Sequence, residues 1–386
     1  MAFIHKRGNK WAYIVNIAND PATGKRRQIT KSGFKTKKEA QLAANKLEES
    51  IQNGQVIKES NITFETFANE WLSYYATQTK VSSVRARKIA MKHLISAWGH
   101  LPIRKVTKHM YQARINELNK KYSRNYIDSI HTTGNMIFKH AIRLDLIQHN
   151  PTDSFVMPKK HLTVKEIEDE TLQEKFLELD ELKTFLSLTR KHGLDLDLLT
   201  FATLAYTGVR LGELLALKWS DLDFKKKTLR ITKTYYNPNN KQNGYEILTP
   251  KTQKSIRTIM IDDMLISLFK DLKHEQKKLI MKQRPIYKNH DFIFAENHGH
   301  PRVMKKVMLR LQRLLKYMDT DKHITPHSFR HTHTSLLIEA GAGVKEIQER
   351  LGHADINTTM NIYAHMTKNI EEKTSRKFSE LTKGLL

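Results

Sequence analysis

Residues 11–18 read Trp-Ala-Tyr-Ile-Val-Asn-Ile-Ala, an apolar run that predicts a strand. The turn-forming set Asn19-Asp20-Pro21-Ala22-Thr23-Gly24 follows. A second strand, rich in Lys and Arg, is expected over 25–31, and a short leading strand near 2–6. Thr36-Lys-Lys-Glu39 has the capping-box pattern and predicts a helix running to about residue 53. Residues 62–158 are helical in pattern. Phe64, Phe67, Trp71 and Tyr74 fall at helical spacing and are expected to pack a core. A second helix is expected from Ser82, with two more over 107–119 and 122–143. Pro151 and Pro158 end this region, and the charged stretch 159–171 reads as a linker.

The second half of the chain predicts helices over 171–175, 178–191, 195–206 and 211–217. Strands are expected near 228–236, 245–250 and 255–261, with Pro238-Asn-Asn-Lys-Gln-Asn-Gly244 as a hairpin turn. Helices follow near 262–283, 302–319, 326–340, 344–351 and 356–366, and then a tail. The expected fold class is multidomain and mainly α with small β-sheets: an N-terminal three-stranded sheet plus helix, a helical domain, and an α+β domain.

Charge narrows the set of partners. The 386 residues hold 66 Lys and Arg against 40 Asp and Glu, a net +26. The excess is densest over the first 160 residues. A bias sustained that far favours a surface for the nucleic-acid backbone over a set of unrelated solvated faces. A polyanionic membrane surface is the competing reading. It is weakened by the lack of any apolar run near the ~20 residues that a span needs. The start, Met1-Ala-Phe-Ile-His-Lys-Arg, turns polar too early for a signal peptide. With no cysteine, disulfides, thiol nucleophiles and thiolate metal sites are excluded, and a cytoplasmic location is expected.

Four short motifs carry the chemistry. They are Thr207-Gly208-Val209-Arg210-Leu211-Gly212-Glu213, the HxxR of His327-Ser328-Phe329-Arg330, Leu351-Gly352-His353, and Tyr363 ten positions further on. A tyrosine phenolate can attack phosphorus and hold the broken bond as a phosphotyrosine. Paired arginines can clamp the phosphoryl oxygens as charge spreads over them. His327 and Arg330 lie one turn apart at a helix start, where an anion is favoured. An alternative use is metal binding, since His327 and His331 are spaced i, i+4 with His333 nearby. No HExxH accompanies them. His331 and His333 then read as structural or DNA-facing.

In order and spacing these motifs resemble the tyrosine recombinases, the phage and transposon integrases. The resemblance is strongest over about 172–366. It implies a small arm-site DNA-binding domain at 1–55, a helical core-binding domain at 62–158, and a catalytic domain of tyrosine-recombinase type with a C-terminal tail at 172–386. By the same resemblance Arg210, Lys251, His327, Arg330 and His353 serve catalysis, with Tyr363 as nucleophile and Glu213 holding Arg210. The lysine that protonates the leaving 5′ oxygen is placed at Lys251, with Lys254 as the alternative. The implied reaction cleaves one strand per site to a 3′-phosphotyrosyl enzyme, with no metal and no cofactor. The implied partners are double-stranded DNA at core and arm attachment sites and three further copies in a homotetramer. An excisionase and a host DNA-bending protein are further candidates; a membrane is not. Two rivals use the same fold: a type IB topoisomerase-like enzyme and a catalytically inactive DNA-binding regulator.

Overall fold

The structure, a computed structural model, describes residues 2–17, 24, 26–52, 61–158, 176–250, 252–352 and 360. The chain divides into two compact units, Met1–His161 and Leu162–Leu386.

The first unit opens with an antiparallel sheet of β1 (Phe3–Arg7), β2 (Lys10–Ile17) and β3 (Arg27–Phe34), in that order. Helix α1 (Lys37–Gln52) packs on it. Alternation along β2 turns Tyr13 and Val15 toward Ala44 of α1, and Ile4, Phe34 and Leu47 close the small core. The capping box forms as expected: the Glu39 N–H donates to Thr36 Oγ1 at 3.2 Å, and the Thr36 N–H to Glu39 Oε2 at 3.4 Å. Strand β3 lies later than the expected 25–31. Its pairing with β2 continues to Trp11↔Phe34, past a bulge at Trp11/Ala12. Gly33, at φ +109°, supplies the extra residue there.

Helices α2 (Phe64–Gln78), α3 (Val81–Trp98), α4 (Lys108–Asn119) and α5 (Arg124–Arg143) complete this unit. Their core joins Phe64, Phe67, Trp71, Leu94, Trp98, Tyr111 and Phe138. Thr63 and Thr107 cap α2 and α4 through their hydroxyls. Tyr74 does not join the core. It is 41% exposed, stacked on His140 with the Arg143 guanidinium over its ring. The helical repeat of 3.6 residues carries the buried stripe from Trp71 toward Tyr75, whose ring stacks on Trp71 at 5.1 Å.

The second unit begins with α6 (Leu179–His192), α7 (Asp197–Thr207) and α8 (Leu211–Leu215). The strands are β4 (Leu222–Asp223), β5 (Thr228–Ile231), β6 (Thr234–Tyr236), β7 (Glu246–Leu248) and β8 (Arg257–Met260). The single strand expected over 228–236 is two. β5 lies between β4 and β8, whereas β6 pairs with β7 across the expected hairpin. The chain turns between them at Thr232-Lys233, where Asp221 holds the Lys233 ammonium at 2.6 and 2.7 Å. β6 is thereby placed against α8: a Cβ at Gly212 would lie 2.6 Å from Thr234 Oγ1. Helices α9 (Asp263–Lys282), α10 (Met304–Leu315), α11 (Ser328–Glu339) and α12 (Val344–Leu351) follow. Phe185, Phe201, Leu214, Leu229, Ile259, Phe269, Phe294 and Phe329 form the core.

The expected helix 171–175 and the tail lie outside the described residues, as does all but Met360 of the helix expected over 356–366. No described helix is long and apolar enough to cross a membrane.

Candidate active site

Helix α7 is buried along nearly its whole length and ends at Gly208, whose φ of +63° is left-handed. A side chain has no room there. A Cβ would sit 2.6 Å from Leu351 Cδ2 and 2.7 Å from His333 Cδ2. Glycine therefore lets the turn press against α11 and α12 while aiming Arg210 outward. Arg210 caps α8. Its Nη1 donates to Glu213 Oε1 at 2.9 Å, and its backbone N–H donates to Glu213 Oε2 at 3.1 Å. The Arg210 side chain stays 39% exposed, whereas that of Glu213 is only 4% exposed.

Glu213 also receives Arg257 Nη2 at 2.9 Å, on the same Oε2. Burial by itself would raise this carboxyl. Arg257, then Arg210 and its backbone N–H, outweigh burial and hold it below the usual carboxylate range. Glu213 thus stays ionised between two guanidinium groups.

Among the described residues Arg330 is the largest fully buried side chain, 1% exposed. Its Nη1 donates to the Gly208 carbonyl and its Nη2 to the Leu351 carbonyl, each at 2.8 Å. It therefore ties the Arg210 turn to the residue two before His353. Burial first, then the nearby Arg210, pushes the guanidinium down to about 9, still charged at neutral pH. His327 caps α11 in the sequence Thr325-Pro326-His327, and the Thr325 N–H donates to Ser328 Oγ at 3.1 Å. Its ring lies 5.0 Å from that of His331, edge to face. Loss of water around the ring, then the charges of His331, Arg330 and Arg210, push His327 down to about 4. The imidazole is neutral at pH 7.

His333 is structural. Its Nδ1 lies 2.8 Å from the Ala205 carbonyl, which can only accept, so Nδ1 carries the proton. Nε2 then accepts from Arg350 Nε at 3.0 Å. Burial pushes His333 down to about 3, with Arg350 adding to it.

The fold thus brings Arg210, Glu213, His327 and Arg330 together. Lys254 is exposed on the turn that follows β7, and its carbonyl lies 2.9 Å from where a Cβ would stand on Gly352. Lys251, His353 and Tyr363 lie outside the described residues. Two arginines of this network were not singled out from sequence, Arg257 and Arg350. A signal for Arg257 exists: period-two alternation in β8 puts it on the face of buried Ile259. Around one carboxylate, Glu213, the described site gathers Arg210, Arg257 and Arg330, an excess of positive charge suited to an anion. Among the described residues, no group of three or more His, Asp or Glu is placed to hold a metal.

Comparison with known proteins agrees with this geometry. The model of the phage integrase family matches residues 175–369. An arm DNA-binding domain matches 3–51, and a phage integrase N-terminal SAM-like domain matches 63–119. The ICEBs1 integrase of Bacillus subtilis is 30% identical over 373 residues, covering 95% of this chain and 96% of the relative. The chain belongs to the phage integrase family. It is a site-specific tyrosine recombinase, an enzyme that cleaves and rejoins DNA. Neither a topoisomerase nor an inactive regulator is favoured. The integrase of Staphylococcus phage L54a is 29% identical, over 87% of this chain and 98% of the relative. The Tn1549 transposon integrase, solved with a circular intermediate DNA, shares the fold at a TM-score of 0.63. It is 24% identical, over 82% of this chain and 99% of that one. A lambda integrase tetramer bound to a Holliday junction has a TM-score of 0.55 at 16% identity, over 91% and 95% of the two chains.

The two low histidines make a test in the integrase without DNA. An ordinary histidine titrates near ~6.5, whereas folding lowers His327 to about 4 and His333 to about 3. The unfolded chain therefore binds more protons within that window. The stability that comes from keeping both rings neutral is complete above ~6.5 and is lost as pH falls through the folded values. In an NMR titration both rings should titrate well below the other histidines. DNA should raise His327, because a phosphate brings negative charge, and leave His333 unmoved. Titration of both near the ordinary value would overturn this account.

Proposed function

We propose that this integrase cuts one strand per active site through Tyr363, giving a 3′-phosphotyrosyl enzyme and a free 5′-hydroxyl. Arg210 and Arg330 stabilise the phosphoryl oxygens, and His327 and His353 hydrogen-bond the same phosphate. Glu213 orients Arg210, and Lys251 protonates the leaving oxygen, with Lys254 as the alternative. A partner strand's 5′-hydroxyl then attacks the phosphotyrosine, so the energy of the first bond is kept. The observation that carries this reading is the convergence of Arg210 and Arg330 on one buried carboxylate, with the His327 ring close to both arginines. Such a preorganised set of donors is what charge developing on phosphorus requires.

In this reading residues 1–55 bind arm DNA, 62–158 bind core DNA, and 172–386 hold the chemistry and the tail. The enzyme acts as a homotetramer on two duplexes to integrate or excise a mobile genetic element. An excisionase and a host DNA-bending protein are its further candidate partners. The reading is supported by the arm and SAM-like family matches and by the DNA-bound integrases that share the fold. The decisive experiment maps covalent protein–DNA joints on the flanking DNA of the element. Joints should fall at one staggered pair of positions, each with protein on the 3′ phosphate. A 5′ linkage, or none, overturns the mechanism.

The arm assignment has its own test. A fragment 56–386 should cleave core DNA at the full-length rate and fail at complete integration. Unchanged integration by that fragment would make residues 1–55 a protein-docking module.

A further inference from the structure

β8 carries an arginine that the mechanism above leaves without a role. The Arg257 side chain is 6% exposed, and its fork reaches three separate segments. Nη2 donates to Glu213 Oε2 at 2.9 Å, Nη1 to the Ser255 carbonyl at 3.0 Å, and Nε to the Arg350 carbonyl at 2.8 Å. The first bond joins Arg257 to the carboxylate that holds Arg210. The second holds the 3₁₀ turn Gln253–Ser255, which carries Lys254. The third reaches the last turn of α12, two residues before Gly352.

These segments meet closely around the guanidinium. A Cβ on Gly352 would lie 2.9 Å from the Lys254 carbonyl and 3.2 Å from Arg257 Cδ. Gly352 stands in a left-handed turn at φ +68°, so the close approach and the backbone both require glycine there. A planar guanidinium has fixed donor directions and can hold three acceptors in one plane. An ammonium is a single point of charge on a flexible stem and cannot. Because the group is buried, Glu213 is also what makes its charge tolerable. The bond set therefore reads as a brace that fixes the turn through Lys254 relative to the Arg210–Glu213 pair.

Resting on the recombinase mechanism proposed for this site, we propose that Arg257 is a positioning residue that aligns the lysine-bearing turn with the phosphate clamp. The proton concerned is the one that Lys254, the alternative acid named above and the lysine of this turn, gives to the 5′ oxygen. It moves as the P–O5′ bond breaks and the Tyr363 phenolate oxygen, its own proton already given up to water, bonds to phosphorus. Arg257 touches neither the phosphate nor the leaving oxygen. It sets where the proton donor stands when the clamp is in place.

The test uses the full chain and two core substrates, one natural and one with sulfur at the 5′-bridging position of the cut. A thiolate leaves without a proton, so the sulfur substrate bypasses the acid. Arg257→Ala should bind core DNA like the wild type. On the natural substrate, its single-turnover cleavage should slow on the order of 10²-fold, the scale of an ångström of misplacement. On the sulfur substrate the loss should shrink by about tenfold or more, because general acid catalysis is no longer needed. Arg257→Lys should show the same pattern, and it carries the comparison if Arg257→Ala fails to fold. Equal losses on both substrates would make Arg257 a purely structural brace, and wild-type rates on both would deny it any role. Should the wild type form no covalent joint with either substrate, the mechanism itself falls and the positioning role with it.

Discussion

Tyr363→Phe is expected to bind core DNA with wild-type affinity and to form no covalent adduct at all. The substitution removes one oxygen, the atom that would bond to phosphorus, and keeps the aromatic ring. Partial activity is not expected, because in the proposed mechanism Tyr363 alone carries the phosphoryl bond. The check is a denaturing gel of the protein with a nicked core substrate that traps the cleaved state. A gel-stable adduct formed by the Phe variant would move the chemistry to another residue. The remaining 12 tyrosines of the chain are then the set to search. The wild type should show the adduct with free 5′-hydroxyl ends, and Lys251→Ala should slow its formation without changing where it forms.

Arg330→Ala should do two kinds of damage. Arg330 is buried and holds the carbonyls of Gly208 and Leu351. Truncation orphans both, and each unsatisfied buried group costs about 1–3 kcal/mol. A loss of stability on the order of 3 kcal/mol is therefore expected, read as a lower melting transition of the full chain. Cleavage should fall by roughly 10²-fold or more, the usual scale for losing one donor to developing negative charge. Arg330→Lys keeps the charge but cannot span both carbonyls. It should recover part of the stability and little of the cleavage rate. Arg210→Ala is the contrast, because Arg210 is 39% exposed and caps only a short helix. It should lose cleavage on the same scale with a small change in melting. If Arg330→Ala melts like the wild type, the brace between the two turns is not what holds them.

Much of this architecture is local in origin, and so it was legible along the chain. The capping box at Thr36–Glu39, the stripe Phe64, Phe67, Trp71 and the turn Pro238–Gly244 need only near neighbours to form. The elements they predict are present within a few residues. The motifs around Arg210, His327 and Arg330 were legible too, because each is a short contiguous string whose residue types suit phosphate chemistry. Boundaries set by a distant partner were not. β3 runs on to Phe34 because β2 offers it hydrogen bonds to Trp11. The run 228–236 breaks in two because β8 and β7 claim its halves for different sheets. Nothing within that run marks the break.

The network behind the motifs belongs to tertiary structure alone. Arg330 could be read as a clamp from sequence, but its bonds to Gly208 and Leu351 reach 122 and 21 residues away. Arg257 lies 44 residues from Glu213 and 93 from Arg350, and no local pattern couples them. A charged side chain in a strand is ordinarily a solvated one. What makes this one structural is the desolvation that packing imposes, which leaves a buried guanidinium only those partners the fold brings within reach. Residue types along the chain supplied arginines and histidines whose chemistry suits a phosphate. The packing of α7, α8, β8, α11 and α12 decided that Arg210 stays exposed while Arg257 and Arg330 are buried and tie the turns of the site together.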